Sequence, residues 1–251
     1  MALQLRYPEE ADFHSRTFVD VDEAATASNA TAIFRWSPSV RADLAARNET
    51  YLSPTRLIVA TGAEASEFAR SLSSEAPVVG TLVLSSTPIV HTTFASGPSA
   101  VCAIVALTPE TLLAIAPLDV ADNDVWTFVD ALFANIQPQE VISMSTLMSV
   151  TYDADLHDGC VLYQLATGAP ESTPVPVLPA PRFVTGVPAA LLTHSALRRR
   201  RAVVYITLQH PTTSLLATAR CLTPLLPLLG LQEPTAALAA ATSKSFENLY
   251  L

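Results

Sequence analysis

Residues 56–72 read RLIVATGAEASEFARSL, and the change of period inside this stretch decides the fold. Arg56–Thr61 is a compact apolar run containing the β-branched pair Ile58 and Val59, which predicts a buried strand. Gly62 ends it. From Ala63 to Leu72 the apolar positions fall at Ala65, Phe68, Ala69 and Leu72, the spacing of one helical face. A strand that passes through one glycine into a helix is a building unit of α/β sheets.

The same alternation extends in both directions. Ser37–Asn48 predicts a short helix, opened by Ser37-Pro38 as cap and first-turn proline. Thr81–Ser85, Ile89–Phe94 and Val101–Leu107 read as successive strands, broken by Pro88 and Gly97-Pro98. The longest apolar stretch, Ala100–Val120, carries Thr108-Pro109-Glu110 in its middle, so two short buried elements joined by a turn explain it better than a membrane span. Asn123–Ile136 predicts an amphipathic helix with Val125, Trp126, Val129, Leu132, Phe133 and Ile136 on its apolar side, Asp122 as cap and Pro138 as stop.

Glu140–Met144 and Cys160–Leu165 are strand-like. Thr167–Pro181 holds prolines at 170, 174, 176, 179 and 181, a density that leaves only an extended, exposed loop. A helix Pro188–Arg200, a strand Ala202–Leu208, a helix around Thr213–Leu226 and an Ala-rich helix Pro234–Lys244 complete the pattern. The expected architecture is one α/β domain over residues 31–244, a central sheet flanked by helices. A flexible acidic arm, residues 1–30, precedes it, and a tail, residues 245–251, follows.

Composition narrows the function. Half of the 251 residues are hydrophobic and 15% are charged, a globular balance far from that of disordered chains. The formal net charge of −9 argues against an electrostatic grip on nucleic acid or anionic lipid, both of which need a dense basic surface. Cys102, Cys160 and Cys221 are odd in number and contain no CxxC pair, which fits small core residues in a reducing compartment. Met1–Phe13 has no secretory pattern, since Arg6, Pro8, Glu9 and Glu10 interrupt it.

Few constellations suggest catalysis. Asp153, Asp155, His157, Asp158 and Cys160 are metal-ligand types, but their spacing matches no Zn or Ca site, and a polar turn before a strand explains them as well. No G-x-S-x-G elbow is present. Thr61-Gly62 lies at a strand-to-helix junction, where backbone N–H groups can hold an anion, although a tight turn alone requires one glycine. No catalytic residue, metal site or cofactor is therefore assigned.

Two features point outward instead. Arg198–Arg201 is a run of four arginines in an acidic protein, suited to finishing a helix at its negative end or to meeting an acidic partner. Phe246, Leu249 and Tyr250 are large apolar groups after the last predicted helix, where little chain remains to bury them. They fold back onto the core, or a partner captures them together with the terminal carboxylate.

The ending Leu249-Tyr250-Leu251, hydrophobic-Tyr-X, resembles the docking motif of proteasome activators and assembly chaperones. Ser53–Leu72 and Thr185–Leu229, the latter containing VPAALLTHSALRRRRAVVYITLQ and LLATARCLTPLLPLL, are similar to segments of the proteasome assembly chaperone 1 family. The first fifty residues and the middle of the chain match only in pattern. The resemblance implies a non-catalytic protein whose fold is related to that of nucleoside phosphorylases; the expected location is cytoplasmic, with the nucleus as an additional site. It also implies a heterodimer with proteasome assembly chaperone 2, seated on the α ring of the 20S proteasome precursor. Leu249, Tyr250 and Leu251 would fill a pocket between α subunits. Apart from the resemblance, the charge of Arg198, Arg199, Arg200 and Arg201 suits them to an additional partner contact. The alternatives are a nucleoside-phosphorylase-like enzyme of small molecules and a scaffold subunit of another complex.

Overall fold

Every position of the strand inside that opening stretch, from Leu57 to Ala60, is fully buried, so it must lie in the middle of a sheet covered on both faces. The computed structural model describes residues 30–86, 101–117, 120–148, 161–168, 174–209 and 215–231. In chain order they form β1 (Ala32–Trp36), α1 (Pro38–Arg47), β2 (Arg56–Ala60), α2 (Ala63–Leu72), β3 (Val78–Leu84), β4 (Val101–Thr108), β5 (Thr111–Ile115), α3 (Val125–Asn135), β6 (Glu140–Met148), β7 (Val161–Ala166), α4 (Gly186–Leu197), β8 (Arg201–Gln209), α5 (Leu215–Arg220) and α6 (Leu225–Leu229).

The strands make one eight-stranded sheet in the order β1-β3-β4-β5-β2-β6-β8-β7. Its centre, β5-β2-β6-β8, is parallel, and the flanking pairs are antiparallel. Alternate residues of a strand face opposite ways, and the two sides of the central strands accordingly feed two cores. Leu57, Val59, Leu82, Ile104 and Val141 pack with Phe128, Leu132 and Phe133 of α3 and Leu191 of α4. Ile58, Ala60, Leu113, Ile142 and Met144 pack with Phe68 of α2 and with Leu225, Leu226 and Leu229 of α6. The result is a single α/β domain with helices on both faces of a mixed sheet. No helix among the described residues is long and apolar enough to cross a membrane.

Local chemistry explains most boundaries. The Ser37 hydroxyl accepts the Val40 N–H at 3.4 Å, capping α1 as expected. Pro109-Glu110 is the turn between β4 and β5, so the long apolar stretch is a buried hairpin. Asp122 does not cap α3. It lies in a 3-10 turn, Asp122–Asp124, ahead of the helix, and buried Asp124 accepts a hydrogen bond from the Ser86 hydroxyl. Trp126, predicted on the apolar side, is 44% exposed, whereas Phe128 is fully buried.

Other expectations shift. Strand β1 lies beyond the predicted arm. Helix α4 stops at Leu197 rather than Arg200, and the helix predicted around Thr213–Leu226 is two short pieces separated by a turn at 221–224. Pro224 and Pro227 remove backbone donors there. Of the proline-rich loop, residues 174–181 are described, and this part is not simply exposed. Gln164 donates its backbone N–H to Pro176 O at 2.8 Å and accepts the Leu178 N–H at 2.9 Å, while Val175 and Leu178 are buried. Proline is tolerated at such a sheet margin because no ladder donor is needed from it.

Cys102 is fully buried, which pushes its thiol up to about 12. Cys221, also buried, is disulfide-bonded, a pairing the sequence reading does not anticipate. The predicted strand Ile89–Phe94, the Asp153–Cys160 cluster, the arm up to residue 29 and the helix Pro234–Lys244 lie outside the described residues.

The two α3 aromatics give a direct test of this packing. Phe128→Ala is expected to lower unfolding free energy by about 3–5 kcal/mol through a cavity in the core. Trp126→Ala should cost well under half of that, and chemical denaturation at neutral pH reads both.

Candidate docking edge

The amino ends of the parallel strands gather the charged groups that the sequence leaves scattered. Arg56, Glu140 and Arg201 are the first residues of β2, β6 and β8, and the parallel register sets them side by side. The Glu140 carboxylate divides between its neighbours. One oxygen accepts from Arg56 Nε at 2.9 Å and the other from Arg201 Nε at 3.0 Å. Its side chain is 17% exposed, so water screens these contacts less than it would on an open surface.

Arg56 makes one further bond. Its Nη1 donates to the Leu229 carbonyl at 2.8 Å, at the last residue of α6. That helix ends on Gly230, whose φ of +66° is a left-handed conformation that glycine adopts at little cost. The Leu231 N–H returns to Leu226 O at 2.9 Å, closing a Schellman turn. The root of the carboxyl-terminal segment is thereby fastened to the same end of the sheet as the charged row.

The arginine run then divides by role. Helix α4 closes with a second Schellman turn, in which Arg199 N–H bonds Ala196 O at 3.0 Å and Arg200 N–H bonds Ser195 O at 2.8 Å. Arg199 occupies the left-handed position, φ +53°, usually given to glycine. Arg200 lies over the Phe133 ring, 5.2 Å from its centre, and His194 stacks on that ring at 4.2 Å with planes 3° apart. Burial, and secondarily the charge of Arg198, holds the Arg200 guanidinium below its usual range. Arg201 bonds Glu140. Arg198 and Arg199 are exposed, and among the described residues neither forms an ion pair. Of the four predicted contacts, these two are open to a partner.

His194 is buried, and burial first, then Arg198, lower its pKa from the ordinary 6.5, against a smaller opposing pull from Asp130. The neutral ring is the form this packing accepts.

The Thr61-Gly62 junction is differently occupied. The Thr61 hydroxyl donates to Met144 O at 3.0 Å, and Glu64 stands in the first turn of α2, where its negative charge opposes an incoming anion. A cleft between the amino ends of α3 and α4 is lined by Asp122, Val125, Trp126, Thr185, Gly186 and Thr193 among others. Among the described residues no group of three or more His, Cys, Asp or Glu could hold a metal ion. Leu249, Tyr250 and Leu251 lie outside the described residues.

Neither a family profile nor a curated protein sequence matches the chain. Solved structures do. PbaA of Pyrococcus furiosus, an archaeal homologue of proteasome-assembly chaperone, superposes with a TM-score of 0.62 at 14% identity over 79% of this chain and 87% of its own. PbaB of the same organism, an archaeal proteasome activator, gives 0.63 at 13% identity over 88% and 97%. A Mycobacterium tuberculosis proteasome-assembly chaperone homologue gives 0.55 at 12% identity over 77% and 93%. The chain has their fold. At such identities the likeness concerns the path of the backbone.

Two measurements probe this edge. Glu140→Ala leaves two arginines adjacent without their shared carboxylate, and is expected to destabilise the fold by about 1–3 kcal/mol in denaturant titrations. For His194 the native pKa is the lower one, so the unfolded chain takes up the proton first as pH falls. Its contribution is thus complete above pH 6.5 and is lost as pH drops from there towards the depressed native value. His194→Phe, which keeps a ring on Phe133, should flatten that part of the stability–pH curve.

Proposed function

We propose that this protein is a proteasome-assembly chaperone subunit acting through binding rather than catalysis. The observation that carries the reading is the fold shared with PbaA and with the mycobacterial chaperone homologue over more than three-quarters of the chain. In this reading residues 31–244 are the chaperone domain, and residues 245–251 are a docking tail. The protein pairs with proteasome assembly chaperone 2, binds the α ring of the 20S precursor in the cytoplasm or nucleus, and favours its correct assembly.

Leu249, Tyr250 and Leu251 enter a cleft between α subunits, where the terminal carboxylate meets a lysine. Such a charge-assisted hydrogen bond is worth about 1.5–3 kcal/mol. Burying the tyrosine ring and the preceding leucine adds about 1.5–3 kcal/mol each before ordering costs. One tail alone therefore binds weakly, and a second contact from the folded domain has to supplement it.

Purification with native partners followed by mass spectrometry tests the reading. Proteasome α subunits with few β subunits are expected, and a preparation free of them, or one showing catalytic turnover without partners, would overturn it. Deleting Leu249–Leu251 should weaken α-ring binding at least tenfold and leave the melting temperature unchanged. A matching loss of thermal stability would mean that these residues belong to the protein's own core.

A further inference from the structure

The edge that holds the arginines is also the edge from which the carboxyl-terminal segment departs, and this coincidence orients the molecule. Arg56, Arg198, Arg199, Arg200 and Arg201 are five of the fourteen basic residues in a protein of net charge −9. All five stand at the amino ends of β2 and β8 or in the turn that leads into β8. Glu140, Glu110 and, on α3 near His194, Asp130 are the carboxylates around them, three against five. Glu140 is already divided between Arg56 and Arg201, and Glu110 accepts from the Thr55 hydroxyl at 3.4 Å. The surplus is positive, and its exposed part is Arg198 with Arg199.

We infer that this end of the sheet is the face presented to the partner, and that the partner surface it meets is acidic. The inference rests on the chaperone reading and adds to it the direction of approach. Among the described residues eleven arginines nearly balance ten carboxylates, so a cluster of arginines at one end stands out against a near-neutral background and steers an acidic partner to that end. That orientation brings Arg198 and Arg199 to the partner together with the point at which the chain leaves α6.

Covalent reach then makes the two contacts compatible. Leu229 is tied to Arg56, and residues 232–251 follow Leu231. Twenty residues span at most about 70 Å when fully extended, enough to enter a cleft beside the footprint of the basic edge. Two weak contacts joined in this way behave as one bivalent ligand, because formation of either raises the effective concentration of the other. Arg199 supports a surface role as well. It holds a left-handed backbone that glycine would adopt more easily, which sets a cation at the tip of the turn beside Arg198.

Titration of reconstituted proteasome α rings with the full chain tests the assignment. The variant pairs Arg198→Gln with Arg199→Asn, since asparagine tolerates the left-handed position. The control pairs Ala121→Glu with Thr185→Glu, two exposed sites at the other end of the sheet, and changes the net charge by the same −2. Association rates are followed at about 50 and 200 mM salt, across which screening changes strongly. The arginine variant is expected to lose about tenfold in affinity at low salt and most of its salt dependence, while the control keeps both. If the arginine variant binds like the parent, or the control loses as much, the basic edge does not face the partner, although parental binding still upholds the chaperone reading. If the parent itself fails to bind α rings, both fall together.

Discussion

Strand β2 has no face to spare for water. Leu57 and Val59 are sealed beneath α3, and Ile58 and Ala60 beneath α2 and α6. Four consecutive residues excluded from solvent in alternating directions can be accommodated only if a layer of helices lies on each side and a strand on each edge. Parallel pairing with β5 and β6 meets the second requirement, and parallel neighbours in turn demand crossover helices. The three layers are the geometric cost of keeping one short strand dry.

That constraint is why this part of the fold is legible in sequence. RLIVAT has no polar alternation, Gly62 marks its end, and Phe68 and Ala69 recur at helical spacing, so β2 and α2 are predicted to within a residue. The hairpin inside Ala100–Val120 is equally plain, because Pro109-Glu110 interrupts an apolar run too short on either side for anything but strands. Legibility fails where tertiary surroundings override pattern. Trp126 looks like a core residue on a helical wheel, yet α3 turns Phe128 inward instead. Strand β1 carries Arg35 between Phe34 and Trp36, and only its pairing with β3 identifies it.

The charged edge was half readable. Four consecutive arginines announce themselves, but nothing local says that Arg200 will lie against Phe133 or that Arg201 will share Glu140 with Arg56. Glu140 lies 84 positions from Arg56 and 61 from Arg201, and only the strand register brings the three together. A pattern that looks uniform in sequence becomes, in the folded chain, two anchored side chains and two free to meet solvent. The anchored pair fixes the turn that displays the others.

The proline-rich segment has a consequence for assembly. By lying along β7 and exchanging hydrogen bonds with Gln164, it occupies the margin on which another chain's strand would otherwise grow, and Pro174, Pro176, Pro179 and Pro181 offer that newcomer no backbone donors. The opposite margin, β1, has no such cover among the described residues. Growth of the sheet by strand pairing is therefore blocked on the β7 flank, and with one flank terminated the sheet cannot propagate in both directions into a fibre.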